Sequence, residues 1–205
     1  MHAYACNAVV EKEVEATVAQ VVRDFGQIDV LVTCAGICIN GPAEETDLAT
    51  WRKVLQVNLD GTYLFTSIVG KHMLEQKVKG SMILVSSAGA THPPRPQLQA
   101  SYNASKSGVN ALAVSLATEW ADRGIRVNTF SPGFMTTPLM SKTSGQANSQ
   151  APLADIQKQW LTQIPMGDTT VWFFVYLLAN KSLGRFANPD EHRGTLVVDG
   201  AWTHW

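Results

Sequence analysis

The sequence predicts an α/β fold built on a doubly wound parallel sheet, and two observations predict it. Short β-branched runs ending in Gly or Ser alternate with longer segments whose apolar residues recur at helical spacing. That alternation is the signature of parallel strands joined by crossover helices, with helices on both faces of the sheet. No internal repeat and no interdomain linker interrupts it, so residues 1–205 read as a single domain.

The elements follow in order. Val14, Val18, Val21 and Val22 lie on one stripe of a predicted helix over 11–27, and Gly26 stops it. "IDVLVTCAG" (28–36) reads as a buried parallel strand. A helix starts with Thr46 or Asp47 as cap, carries Leu48, Trp51, Val54 and Leu55, and continues to about residue 76. "GSMILVSSAGA" (80–90) is a second strand, followed by the Pro-rich loop "THPPRPQLQA". A long helix over 101–122 aligns Ala104, Val109, Leu112, Ala113, Leu116 and Trp120, and "GIRVNTFSPG" (124–133) is a third strand. Residues 140–152 are rich in Ser, Gln and Gly and read as a loop, with 140–165 as a lid over a substrate site. "IQKQWLTQI" is a short helix, and "GTLVVDG" (194–200) a last strand.

Composition narrows the function classes. A net charge of -1 gives no basic surface for nucleic acid or an anionic membrane. The longest apolar run, "VWFFVYLLA" (171–179), is far short of the roughly 20 residues that span a bilayer and reads as a core segment. No signal peptide is visible in "MHAYACNAVV", so a cytoplasmic protein is expected. Cys34 and Cys38 form a CxxxC with no second cluster to complete a metal site, so no metal is expected. All three cysteines, Cys6 included, read as reduced and mostly buried.

In open parallel sheets the ligand crevice lies at the carboxyl ends of the strands. The predicted ends are Cys34-Ala-Gly36, Ser86-Ser87 and Ser131-Pro-Gly133, which should converge. Tyr102 and Lys106 stand four apart on one helix face. An ammonium ion beside a phenol favours the phenolate and brings its pKa toward neutrality, although the same spacing also occurs on ordinary helix surfaces. Ser87, at a strand end, can donate to a carbonyl or alkoxide oxygen. Asn58 lies inside a predicted helix, where Asn is a mediocre former that bends the helix or holds a water.

Taken together, "GQIDVLVTCAGI" (26–37), "VNLDGTY" (57–63), "VSSAG" (85–89), "YNASK" (102–106) and "IRVNTFSPGFMTTPL" (125–139) resemble the ordered motifs of the classical short-chain dehydrogenases/reductases. "PRPQLQASYNASK" and "LATEWADRGIRVN" are similar to the fungal polyol dehydrogenase and ketose reductase branch, which includes mannitol 2-dehydrogenases and sorbose reductases. The resemblance implies a Rossmann-like sheet and an oxidoreductase using NADP or NAD, with NADP favoured by the branch. The substrate would be a carbonyl or alcohol of a sugar, polyol or small ketone. It implies Tyr102 as general acid or base, Lys106 lowering the Tyr102 pKa and holding the nicotinamide ribose, and Ser87 polarising the substrate oxygen. Asn58 would position a water relaying protons through Lys106. Asn7 would sit by the adenine ring, Ala35 and Gly36 would let the backbone pass the cofactor, and Pro132, Gly133 and Thr137 would hold its nicotinamide end. Homodimers or homotetramers through the helices near 47–76 and 101–122 are expected.

The chain also departs from the family pattern. No GxxxGxG or GxGxxG occurs, and the resemblance begins near the family's third strand, at "AYACNAV". A Rossmann-like domain lacking the first strand–helix–strand unit is therefore expected, and an inactive relative that has lost the dinucleotide-binding glycines is the alternative function. Cys34 stands where the family has Asn before Ala-Gly, and residues 167–193 diverge from the family's amphipathic helix and Thr-Gly turn. A serine hydrolase built on Ser87 would need a GxSxG elbow, which "VSSAG" is not.

Overall fold

The computed structural model describes residues 2–135, 158, 161–162 and 195–198. Four strands, β1 (Val30–Thr33), β2 (Ser81–Val85), β3 (Arg126–Pro132) and β4 (Thr195–Val198), form one sheet in the order β1-β2-β3-β4. Every pairing is parallel, and the register aligns Thr33 with Leu84 and Leu84 with Thr129. The strand ends on the crevice side are thus level with one another, and Ser86 N extends the pairing to Phe130 O at 2.8 Å.

The first helix, α1 (Glu11–Phe25), buries Val14 and Val18 and ends at Gly26, whose φ of 86° is costly for a residue with a Cβ. The long helix expected over 47–76 is found in three parts. α2 (Leu48–Leu55) opens on Asp47, whose side chain accepts from Thr50 N at 2.6 Å. A π-helical turn follows over Gln56–Asp60, and α3 (Gly61–Glu75) continues from it. Such a turn carries one extra residue and is a frequent mark of a functional position. Here it holds the buried Asn58. α4 (Ala100–Trp120) runs on into a 3₁₀ turn over Ala121–Arg123 and stops at Gly124.

The crossovers β1–α3–β2 and β2–α4–β3 carry both helices onto the same core of the sheet. There Met82, Leu84 and Val127 pack with Val14 and Val18 of α1, Val69 and Met73 of α3, and Val109, Leu116 and Trp120 of α4. α3 and α4 approach so closely that a Cβ built on Gly70 would lie 2.4 Å from a Trp120 ring carbon. Gly70→Ala is expected to lower stability by about 1–3 kcal/mol, because a buried indole has no free volume to retreat into. A urea melt reads this directly, and an unchanged midpoint would show that the Trp120 ring can move aside.

Several expectations need correction. The predicted strands are too long: 28–36 is found as 30–33 and 80–90 as 81–85, with a separate 3₁₀ turn at Ala88–Ala90. The chain leaves the ladder there to form the crevice loops. Val30 of the strand expected to be buried is 55% exposed, since β1 is an edge among the described strands. Residues 3–9, expected as a strand, carry none. A strand needs a ladder partner, and none lies beside them among the described residues. Of the three cysteines only Cys38 is buried; Cys34 is exposed and Cys6 intermediate, and all are free thiols. Thr137, the loop 140–152, the lid 140–165 and the segments 167–193 and 171–179 lie outside the described residues, apart from Lys158, Leu161 and Thr162, which are helical.

Candidate active site

At the carboxyl end of β2 the chain turns sharply. Ser87 has an extended backbone and its hydroxyl accepts from Gly89 N at 3.1 Å, which starts the 3₁₀ turn. One residue earlier, the buried Ser86 donates to the Lys106 carbonyl at 2.9 Å and ties β2 to α4. This brings the first turn of α4 over the strand end. Tyr102 is half-buried there, close enough to Ser87 for that hydroxyl to favour its phenolate. Lys106, one turn on, is 4% exposed. Its Nζ donates to the Val85 carbonyl at 2.8 Å and stands 5.9 Å from the centroid of the Tyr102 ring.

The electrostatics of the pair differ from expectation. Burial pushes the Tyr102 phenol up to about 12; the Ser87 hydroxyl opposes this and the Cys38 thiol adds to it. Burial pushes Lys106 down to about 8, opposed by Cys34 and Cys38. Lys106 was expected to lower the Tyr102 pKa, but in the protein alone desolvation dominates both groups. The amine donates to a backbone carbonyl and stands over the face of the Tyr102 ring.

Asn58 closes the other side. Its Oδ1 accepts from Ile37 N at 2.8 Å, and its Nδ2 donates to Ile37 O at 2.9 Å and to Ser105 Oγ at 2.9 Å. Ser105 Oγ in turn donates to the Tyr102 carbonyl at 2.7 Å. The π turn therefore clamps the loop after β1 and joins it to the first turn of α4. Within that loop a Cβ on Gly36 would lie 3.3 Å from Asn58 Oδ1 and 3.6 Å from Lys106 Nζ. Gly36 leaves a bare backbone beside a buried amine at a parallel-sheet crevice. That cradle fits the ribose and nicotinamide end of a dinucleotide.

Comparison with known proteins shows the family. A family model described as enoyl-(acyl carrier protein) reductase matches residues 1–175. The chain is 32% identical to the NADH-dependent L-xylulose reductase of Ambrosiozyma monospora, over 100% of this chain and 74% of that protein. The chain belongs to the short-chain dehydrogenase/reductase family. It is also 38% identical to the NADP-dependent mannitol dehydrogenase of Alternaria alternata, over 80% of this chain. The chain spans 58% of that relative's length. A solved short-chain type dehydrogenase/reductase from Mycobacterium marinum superposes with a TM-score of 0.83 at 25% identity, covering 97% of this chain and 74% of that one.

Within this short-chain dehydrogenase, Asn58 and Lys106 flank Gly36, and Lys106 and Ser87 adjoin Tyr102. Ala35 is exposed next to Gly36, and Pro132 and Gly133 are half-buried at the end of β3, where the crevice was expected. Asn7 is exposed at the entry to α1. Its Oδ1 accepts from Val9 N at 3.3 Å and its backbone N donates to Glu13 Oε2 at 2.8 Å, so it shapes a turn before the helix. The sequence gives Ser86 only a place at a strand end and Ser105 no role, although both lie within the quoted motifs. Their signal was small polar residues on the buried side of a helix and at a strand end, which demand partners. Among the described residues no group of three or more His, Cys, Asp or Glu could hold a metal ion, and no helix is long and apolar enough to cross a membrane.

Proposed function

We propose that this chain is an NAD(P)-dependent oxidoreductase that interconverts a ketone of a sugar and the corresponding secondary alcohol of a polyol. The closeness of the Ser87 and Tyr102 hydroxyls at the carboxyl end of the parallel sheet carries this reading, because it puts two hydroxyls beside the Lys106–Gly36 cradle. In the reducing direction a nicotinamide held at the Lys106–Gly36 cradle would supply the hydride. Ser87 donates a hydrogen bond to the carbonyl oxygen as charge develops there. Tyr102 gives that oxygen its proton, the product is the alcohol, and the phenolate left behind regains a proton from solvent. Lys106 holds the ribose hydroxyls, and its positive charge stabilises the transient phenolate. Asn58 keeps the Gly36 loop in place and carries a water on the proton path. Asn7, Ala35, Pro132 and Gly133 would hold the rest of the cofactor.

The family and the names of the two relatives support a polyol or ketose substrate, and those names include one NADP-dependent and one NADH-dependent enzyme. The test is a fluorescence titration of the chain with NADPH and with NADH, followed by reduction of L-xylulose and D-fructose. Saturable nucleotide binding with ketose-dependent oxidation of the nucleotide is the expected result. A folded chain that binds neither nucleotide and reduces neither sugar would overturn the reading.

A further inference from the structure

Helix α4 begins in an unusual way. Its N-cap residue is Gln99, whose side chain makes no capping hydrogen bond. Ser, Thr, Asp or Asn would cap that turn better, so local helix stability does not call for Gln here. Its carboxamide is turned aside, and the residue is 9% exposed. Oε1 accepts from Cys38 Sγ at 3.4 Å and Nε2 donates to Asn103 Oδ1 at 3.2 Å. Cys38 Sγ also faces Asn40 Oδ1 at 3.4 Å, so its single weak donor is divided between two acceptors. The Gln99 amide therefore keeps a second N–H and a second lone pair without a partner among the described residues, which is uncommon for a buried amide.

Its position gives that spare capacity a use. The point where a Cβ on Gly89 would stand is 3.4 Å from Ser87 Oγ, 3.6 Å from Gln99 Nε2 and 2.9 Å from Asn103 Oδ1. Gln99 and Ser87 thus flank the same bare glycine, one turn ahead of Tyr102. The described groups around it (Cys38, Asn40, Asn103, Ser87) are neutral and carry a donor or an acceptor. Such neighbours suit hydroxyl groups.

We propose that Gln99 determines substrate specificity by hydrogen-bonding the hydroxyl on the carbon next to the reacting carbonyl, held for that task by Cys38 and Asn103. This rests on the ketose–polyol reading of the site and adds the group that tells a hydroxyketone from a plain ketone. A site built to bond a hydroxyl discriminates against an analogue lacking it, because the amide would be left unpaired.

The test compares L-xylulose with cyclohexanone, which has the carbonyl and no hydroxyl. Gln99→Met keeps length and removes both polar atoms. Its kcat/KM for L-xylulose is expected to fall about tenfold or more, while that for cyclohexanone stays within about twofold of the parent chain. An equal loss on both substrates, or a loss on neither, overturns the proposal. A second measurement stands apart from turnover and from the variant's folding. In the unaltered, isotope-labelled chain saturated with nucleotide, the Gln99 side-chain amide signal should shift with L-xylulose and not with cyclohexanone. No shift with the sugar in a chain that binds nucleotide overturns the role of Gln99 alone, whereas failure to bind nucleotide or sugar overturns the ketose–polyol reading together with it.

Discussion

Tyr102→Phe is expected to lower the rate of ketose reduction by about three orders of magnitude and to leave nucleotide affinity nearly unchanged. The variant keeps the ring that packs beside Lys106 and loses only the hydroxyl that faces Ser87. Nothing else described at this point can replace the proton: Ser87 is a far weaker acid, and Lys106 is engaged with the Val85 carbonyl. The pKa of the phenol gives a second, directional expectation. Burial pushes it up to about 12, so it stays protonated through the neutral range and is ready to donate during reduction. Alcohol oxidation needs the phenolate, so its rate should climb as pH rises above neutral. Single-turnover rates in both directions, with circular dichroism to confirm folding, check this. Reduction by the Phe variant within tenfold of the parent would mean that the proton comes from elsewhere.

How much of this was legible without coordinates depends on the range of the interactions. The Tyr102–Lys106 pairing rests on one helical turn, and Ser87 on the end of a β-branched run; both are local patterns, and both are found together. The π turn at Gln56–Asp60 left no mark in the periodicity, because one extra residue between two amphipathic stretches merely rotates the second. Asn58 was singled out as an awkward helix residue. Its partner Ile37, 21 residues away, depends on how the loop after β1 folds back. The sign of the Tyr102 shift was misjudged for a related reason: spacing reveals a nearby charge but not the depth of burial, and here burial dominates. Gln99 was unreadable because its significance lies in a helix cap that fails to form and in contacts to Cys38, 61 residues away.

Lys106→Met is expected to abolish turnover and, at neutral pH, to make the chain more stable. The lysine is 4% exposed, and burial brings its pKa from 10.5 down to about 8. At pH 7 it is charged in both the folded and the unfolded chain, so the full desolvation penalty, about 3 kcal/mol, weighs against folding. Between about pH 8 and 10.5 the unfolded chain keeps the proton while the folded chain has released it. Stability must therefore rise with pH across that window. Met has no proton to lose, so its melting curve should lack that rise. Against its gain stands the Val85 carbonyl, which loses its Nζ donor at a cost of about 1 kcal/mol. The Met variant should thus exceed the parent by about 2 kcal/mol at pH 7, with the difference shrinking by pH 9.5, still below the range where Tyr102 titrates. Urea melts at the two pH values decide it. A difference that does not change with pH would mean that the amine is hydrated in solution. A shrinking one would mean that the fold tolerates a destabilising cation beside Gly36, and the proposed site gives that cation its function, since a neutral side chain there could neither steady a phenolate nor hold a ribose.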